Sequence, residues 1–217
     1  MEEKLCEAVV IDRGEKVKEI LRRNPRLKIN WKNKRGRTAL HTACEYSSVD
    51  MIPILLAHPD IDVNVKDETG ATPFMAACSV GSTPAVGVLL RDSRVKINER
   101  DNRGSTPLKM AISEAHVDSM KWLIASGRKL DMGKPGTDSD AFGASQGWGL
   151  RSMAELLQRF ERDPTLTRSK VRDELGITGE FVLCALFDPP PLTATHLVRF
   201  PGDCPGIDHT CGIRGLP

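Results

Sequence analysis

The sequence contains few aromatic residues and no long apolar run. Aromatic residues make up 5% of the 217 residues, with one tyrosine and three tryptophans, which is low for an enzyme pocket or for a platform that stacks nucleic-acid bases. The net charge of +2 is too small to indicate nucleic-acid binding by itself. The few aromatic residues and the small net charge lead us to expect no nucleic-acid partner. Because no stretch approaches the roughly 18 apolar residues of a membrane helix, we also expect no membrane partner.

The chain also lacks the features of a secreted, disulfide-linked protein. Its opening segment is acidic and holds only a short apolar run, so we expect no secretory signal. The cysteines form no Cys-x-x-Cys pair. We therefore expect reduced thiols and a cytoplasmic or nuclear location. The six cysteines are Cys6, Cys44, Cys78, Cys184, Cys204 and Cys211.

Catalytic and metal-binding motifs are missing as well. The sequence has no Gly-x-Ser-x-Gly elbow, no His-Glu-x-x-His pair and no Walker loop. Cys204, His209 and Cys211 are zinc-ligand types, but a structural zinc site needs four ligands, and His196 or Cys184 would reach them only if the tail folded back. We expect no catalytic residue, no enzyme activity, no cofactor and no metal site.

What the sequence does contain is an internal repeat with a constant period. Similar segments of the form Gly-x-Thr begin at Gly36, Gly70 and Gly104, which are 34 apart in the numbering. Matching asparagine, alanine and leucine positions recur at the same spacing. They are Asn30, Asn64 and Asn98, then Ala43, Ala77 and Ala111, then Leu55, Leu89 and Leu123. Such periodicity is typical of arrays in which each unit buries an apolar face against the next.

The local chemistry of one unit predicts a turn followed by two short helices. Asp67 can accept hydrogen bonds from the backbone two residues further on, and Gly70 allows a positive φ. Thr72 can cap the next helix, and Pro73 fits the first helical position. A second apolar helix follows, and an extended segment leads into the next turn.

Two cysteines occupy equivalent places in this frame. Cys44 and Cys78 are one period apart, and Ile112 takes the same place in the third unit. Because a buried thiol behaves as a small hydrophobic group, a position that accepts Cys, Cys and Ile is predicted to be a core position. Cys6 is interpreted in the same way.

The frame extends in both directions. Leu21 lies one period before Leu55, while Leu156 and Ala144 fall on the leucine and alanine positions at a spacing of 33. We therefore predict an array over residues 3–164. It comprises a cap at 3–29, units at 30–63, 64–97 and 98–130, and a degenerate closing unit at 131–164.

These units resemble the ankyrin repeat, whose pattern is glycine, any residue, Thr-Pro-Leu-His and an alanine, with two leucines in the second helix. The resemblance covers about three quarters of the chain. It implies an all-α solenoid of helix-turn-helix units with short hairpin-like turns, and a non-catalytic scaffold for protein–protein interaction. The motif histidine remains only as His41, with Met75 and Lys109 in the next units, which predicts a less rigid array. We expect a monomer.

The resemblance also implies where a partner protein binds. In such proteins the turn tips and the exposed side of the first helix form a concave face. The corresponding residues are Lys34, Arg35, Arg37, Thr42, Glu45, Tyr46, Glu68, Thr69, Ala71, Ala76, Ser79, Val80, Asn102, Arg103, Ser105, Met110, Ser113 and Glu114. Tyr46 and Met110 are predicted to be the strongest contacts, because aromatic and flexible apolar groups dominate binding energy.

Basic residues add a second hypothesis. Residues 16–37 carry ten Lys or Arg side chains against one acid, Glu19, and Lys32, Lys66 and Arg100 form a positive ladder at the repeat spacing. The ordinary interpretation of the basic run is a solvated face. The alternative is a docking patch for an acidic partner or for an anion, whether nucleic acid, a phosphoinositide surface or a phosphorylated peptide.

The segments after the array are predicted separately. Residues 165–187 should hold a capping helix from about Thr167 to Leu175 and then an apolar segment at 180–187. The helix resembles the segment that follows the repeats in some fungal ankyrin-repeat proteins. Residues 188–217 are rich in Pro and Gly without periodicity, so we expect an irregular or disordered tail.

Overall fold

The computed structural model describes residues 1–11, 13–136 and 140–177, and the regular secondary structure in these ranges is entirely α-helical. The all-α prediction is therefore confirmed there. Segment 180–187 and tail 188–217 lie outside the described residues. The helices are α1 (Glu2–Val10), α2 (Gly14–Arg23), α3 (Ala39–Glu45), α4 (Met51–Leu56), α5 (Pro73–Val80), α6 (Thr83–Leu90), α7 (Pro107–Ser113), α8 (Val117–Ala125), α9 (Ala141–Gly147), α10 (Arg151–Arg162) and α11 (Pro164–Glu174).

An acidic or amide side chain organises the turn that opens each full unit. In the second unit, the Asp67 Oδ1 atom accepts hydrogen bonds from the N–H groups of Thr69 and Ala71, at 2.8 and 3.0 Å. Gly70 follows with φ of 79°, in the left-handed region that favours glycine. The turn predicted from these residues is therefore confirmed.

A threonine side chain begins the first helix of each full unit. The Thr72 Oγ1 atom accepts a hydrogen bond from the N–H of Met75 at 3.3 Å, and Pro73 takes the first position of α5. Thr38 and Thr106 cap α3 and α7 in the same way. Because a cap satisfies backbone donors that the helix leaves free, it helps a helix of only seven or eight residues to form.

Asparagine side chains join each unit to the loop of the next. The Asn64 amide donates to the Arg94 carbonyl at 2.8 Å, and its oxygen accepts from the Lys96 N–H at 2.8 Å. Asn30 and Asn98 make the equivalent pairs of bonds one unit earlier and one unit later. The asparagine period seen in the sequence is therefore a chain of hydrogen bonds between units.

The helices pack in two layers. Helices α1, α3, α5, α7 and α9 lie side by side in the first-helix layer, and α2, α4, α6 and α8 lie side by side in the second-helix layer. The core between them includes Cys44, Cys78 and Ile112, all fully buried. Burial raises the pKa of both thiols, and in the half-buried Cys6 it raises the pKa to about 11. The prediction that Cys44 and Cys78 are packing residues is confirmed.

The closing helix pair keeps the repeat geometry in a register that differs from the prediction. The carbonyl of Ser145 accepts from the N–H of Leu150 at 2.8 Å, as Ala111 accepts from His116 at 2.8 Å. Ser145 is fully buried, whereas Ala144 is half-buried. The assignments of Ala144 and Leu156 to the alanine and leucine positions are therefore wrong, because the closing unit keeps the spacing of 34. Leu157, which lies 34 after Leu123, is fully buried, whereas Leu156 is half-buried.

The last helix begins earlier than the sequence suggested. α11 starts at Pro164 rather than near Thr167, because the Asp163 carboxylate accepts from the N–H of Leu166 at 2.9 Å and caps the helix. Asp163 also follows the last residue of α10, so one residue ends one helix and begins the next.

α11 lies beside α8 and α10. Its Arg172 Nε donates to the carbonyl of Ala125, the last residue of α8, at 2.8 Å. Its Glu174 forms an ion pair with Lys121 at 2.8 Å. The last carbonyls of a helix lack hydrogen-bond partners within the helix. Arg172 provides a donor for one of these carbonyls, that of Ala125.

Two glycines provide a test of the packing between turns. Gly104→Ala should lower the free energy of unfolding by about 1 kcal/mol, because an L residue is strained at its φ of 78°. Gly70→Ala should lose about 2 kcal/mol more, because the added Cβ would lie 2.7 Å from the Asn102 backbone nitrogen, whereas Gly104 has open space. Urea unfolding followed by circular dichroism measures both. Equal losses would show that the turns do not pack tightly.

Candidate partner-binding surface

A row of exposed side chains crosses the ends of the first helices. Just beyond each helix stands a residue with positive φ: Ser47 (55°), Gly81 (73°), Ala115 (58°) and Gly149 (67°). The residues immediately before them are one period apart and form what we call the exposed row, namely Tyr46, Val80, Glu114 and Trp148. Because neighbouring first helices pack side by side, equivalent positions fall on one face.

Three members of the exposed row are large apolar residues left open to solvent. The exposed fractions are 58% for Tyr46, 46% for Val80 and 68% for Trp148. Trp148 was not predicted from the sequence, because the closing unit was aligned there at a spacing of 33. The signal that identifies it is its place one period after Glu114, together with Gly149 at the left-handed position.

The predicted residues differ widely in their exposure. Thr42 is buried, with 6% exposed. The half-buried ones are Arg37, Glu45, Ala71, Ala76, Ser79, Ser105, Met110 and Ser113. The exposed ones are Lys34, Arg35, Tyr46, Glu68, Thr69, Val80, Asn102, Arg103 and Glu114. The exposed set is therefore concentrated at the turn tips and in the exposed row.

Thr42 corrects the prediction. Its hydroxyl donates to the Thr38 carbonyl at 3.2 Å, one helical turn back in the chain. A helical threonine can satisfy its own hydroxyl in this way, so Thr42 belongs to the interior of the stack and presents no group to a partner.

Arg37 and Glu45 are paired with each other rather than free. The Arg37 Nη1 atom lies 2.5 Å from the Glu45 carboxylate, and its Nε lies 3.4 Å from the Asp67 carboxylate in the next turn. Burial disfavours the charged guanidinium, but hydrogen bonds to Glu45 and Asp67 outweigh it and raise the pKa of Arg37. This side chain links a turn, a helix end and the following unit.

Two predicted turn residues serve the turns themselves. The Asn102 side chain donates to the Glu68 carbonyl at 2.9 Å, and its backbone N–H donates to the Thr69 carbonyl at 2.9 Å. The Thr69 hydroxyl donates to Asp67 at 2.6 Å. The side chains of Thr69 and Asn102 are therefore engaged within the stack.

The positive ladder is also largely structural. Lys32 Nζ donates to the Lys66 carbonyl at 2.8 Å, and Lys66 Nζ donates to the Arg100 carbonyl at 2.8 Å. Arg100 in turn pairs with Asp131 at 2.6 Å. Each ladder residue therefore binds the backbone or an acid of the following unit, which accounts for its period without a ligand.

His41 forms a buried bridge between the first two units. Its Nδ1 accepts from the Thr38 N–H at 3.1 Å, and its Nε2 donates to the Ala71 carbonyl at 3.1 Å. Burial is the main cause that lowers the pKa of His41. In the next unit, Met75 places its sulfur 3.4 Å from the Thr72 nitrogen.

The described part of the chain holds neither a cluster of metal ligands nor a helix that could cross a membrane. Among residues 1–11, 13–136 and 140–177, no group of three or more His, Cys, Asp or Glu side chains is arranged to hold a metal ion. None of the helices α1 to α11 is long and apolar enough to cross a membrane. The candidate zinc ligands Cys184, His196, Cys204, His209 and Cys211 lie outside the described residues.

The stacked helix pairs, with hydrogen-bonded turns along one edge, define a solenoid of structural repeats. Family models agree with this class. A model of ankyrin repeats in three copies matches residues 59–133, and a model of ankyrin repeats in many copies matches residues 21–71. Together they span more than half of the chain. The chain therefore belongs to the ankyrin-repeat family.

Ankyrin repeats are generally modules for protein–protein interaction, which gives the exposed surface its first interpretation. A search of curated proteins found no match to the chain. The similarity of the segment after the repeats to fungal members of the family stays a prediction.

The buried imidazole of His41 generates a pH prediction. Its pKa is lowered in the folded chain, so below an ordinary pKa of about 6.5 the unfolded chain binds the proton more tightly. Stability is therefore lost as pH falls through that value. Between about pH 6.5 and 5.5 the natural chain should lose up to about 1 kcal/mol more than His41→Met, which copies the residue of the next unit. Urea midpoints at the two pH values measure this; parallel losses would refute it.

Proposed function

We propose that the chain is a non-catalytic recognition module that binds a partner protein through the exposed row and the adjacent turn tips. The observation that carries this proposal is the exposure of Tyr46, Val80 and Trp148 at equivalent positions at the ends of α3, α5 and α9. Side chains this exposed contribute little to the core, so packing does not account for large apolar residues at these positions. Aromatic residues contribute most of the binding energy in many interfaces.

An ion pair joins the first turn to the end of α3, next to the exposed row. Arg37 follows the first turn, and its guanidinium reaches Glu45, the last residue of α3. Tyr46 comes next in the chain. A helix of seven residues is only about 10 Å long, so one partner segment can contact a turn tip and the exposed row together.

Charge at the turn tips supports a partner with acidic groups. Lys34, Arg35 and Arg103 are exposed and form no ion pair within the part of the chain that the structure describes. Glu68 is the acidic residue at the tip between them. Positive tips would attract an acidic partner and raise its association rate, while the apolar contacts would supply most of the affinity.

The middle of the surface is small and allows close approach. Ala76 and Ser79 on α5 are half-buried and present little side chain. Met110, predicted from the sequence as an anchor, is half-buried on α7. We therefore propose Tyr46 and Trp148 as the two main anchors, with Val80 between them and Met110 at the edge of the contact.

The remaining parts of the proposal concern the setting of the molecule. We propose that it acts as a monomer in the cytoplasm or nucleus, which fits cysteines kept as thiols: among the described residues, Cys6, Cys44 and Cys78 are free. Family membership supports the assignment as a module without enzyme activity.

The basic run at 16–37 is the alternative surface. Its residues are distributed over α2, the loop after it and the first turn. Several are engaged locally: Lys18 pairs with Glu15, and Arg23 pairs with Glu19. This distribution favours the interpretation as a solvated face. Binding of an anion there would weaken steeply with salt, whereas binding through the exposed row should persist.

Affinity capture with matched variants tests the proposal. The full chain is compared with a Tyr46→Ala, Trp148→Ala variant, and bound proteins are quantified by mass spectrometry at two salt concentrations. Because an aromatic anchor contributes about 2 kcal/mol or more, the variant should lose at least about 30-fold in affinity for a specific partner.

The control removes apolar surface elsewhere. Leu166→Ala changes a side chain on α11 that is 51% exposed and lies outside the exposed row. This control should capture the partner as the natural chain does. If the Tyr46→Ala, Trp148→Ala variant and this control retain the partner equally, or lose it equally, the exposed row is not the recognition surface.

A further inference from the structure

A groove of about 620 Å³ is lined by the start of the second unit, the loop that joins the second and third units, and the exit loop of the third unit. Its lining carries five cations: Lys66, Lys96, Arg100, Arg128 and Lys129. None of them belongs to the exposed row or to the predicted concave face. The groove is therefore a second surface whose chemistry needs a separate explanation.

Carboxylates neutralise only part of this charge. Glu99 is shared by two lysines, at 2.9 Å from Lys66 Nζ and 3.5 Å from Lys96 Nζ. Asp131 pairs with Arg100. Two acids thus face five cations, and Arg128 and Lys129 have no ion pair within the described residues. Like charges held together at this density repel one another unless an anion lies among them.

Arg128 lacks the acidic partner that the equivalent arginine of the preceding unit has. Arg94 stands one period earlier, and its guanidinium binds both oxygens of Asp92 and the Leu56 carbonyl. In the third unit Ser126 replaces that acid. The Arg128 Nη2 atom donates to the Val95 carbonyl at 2.5 Å.

The other terminal nitrogen of Arg128, Nη1, is buried without a hydrogen-bond partner. Burial lowers the pKa of Arg128, and Asp92 is the acid that acts against this effect. Asp92 is itself held by Arg94. A buried donor on a charged group that lacks a partner is strongly unfavourable, so an anion near this guanidinium would stabilise it.

The loops that carry these cations are fixed rather than free. Asn98 donates from its side chain to the Lys129 carbonyl at 2.7 Å and accepts from the Asp131 N–H at 3.0 Å. Asn64 accepts from the Lys96 N–H at 2.8 Å. The backbone of the groove is therefore ordered before any ligand arrives, which lowers the entropy lost on binding.

We propose that this groove binds a compact polyphosphate anion, of the kind found in free inositol polyphosphates and in phosphoinositide headgroups. Several phosphates clustered on one small molecule match a surplus of three positive charges within the volume of a small-ligand site. Lys96, Arg128 and Lys129 contact the phosphates. Lys66 and Arg100 hold acids at 2.9 and 2.6 Å, whereas Lys96 lies 3.5 Å from the shared Glu99. Guanidinium groups bind phosphate oxygens in strong, charge-assisted hydrogen bonds.

The experiment measures binding of inositol hexakisphosphate to the full chain by calorimetry in about 0.15 M salt. A second arm measures sedimentation with phosphatidylcholine vesicles that contain phosphatidylinositol bisphosphate. Binding in the first arm alone assigns a soluble ligand, and vesicle binding assigns a headgroup. Absence of binding in both arms overturns the proposal, as does binding of a phosphoserine peptide in place of both probes.

Variants test the location of the site. Lys96→Gln with Lys129→Gln, and separately Arg128→Gln, should each weaken binding by about tenfold or more. Lys34→Gln with Arg35→Gln removes the same charge from a turn tip and should leave binding unchanged. If Arg128→Gln does not fold, the double variant at two exposed lysines still decides the outcome. Equal weakening by the turn-tip control would show a diffuse charge effect and overturn the proposal.

Discussion

Each unit of the stack is completed by the unit that follows it. The Asn64 side chain satisfies a carbonyl and an N–H of the next exit loop, His41 binds the carbonyl of Ala71 in the next unit, and Lys66 Nζ binds the carbonyl of Arg100. An isolated helix pair would expose these groups and its apolar face to water. The constant period of the repeat is therefore the condition that allows backbone polar groups and core side chains to be satisfied together.

This constraint separates structural positions from those available for binding. Arg37, Glu45, Thr69 and Asn102 lie at the surface, yet their side chains hold turns and helices in place. The exposed row differs because its side chains extend beyond the helix ends, where the chain turns through a left-handed residue. The periodicity that builds the stack thus also aligns the side chains that it leaves free.

The turn, the threonine cap and the shared core place of Cys44 and Cys78 could be predicted from the sequence, because each depends on local chemistry or on the repeat itself. The burial of Thr42 and the pairing of Arg37 with Glu45 could not, because they depend on which partner the folded chain brings near. Trp148 was missed because the closing unit was aligned at a spacing of 33, one residue short of the repeat period. The role of Arg128 could not be predicted. The sequence shows that Ser126 stands where Asp92 stands one unit earlier, but only the structure shows that Arg128 Nη1 is buried without a hydrogen-bond partner.

Helix α11 has a consequence for how far such a stack can grow. Any repeat in an open array offers the next one a ready template, so identical molecules could add to one another end to end without limit. Here α11 lies against α8, and Arg172 takes the carbonyl of Ala125 at the end of that helix. A second molecule would first have to displace α11 from this template. This side of α8 is therefore a place that the chain fills with its own helix.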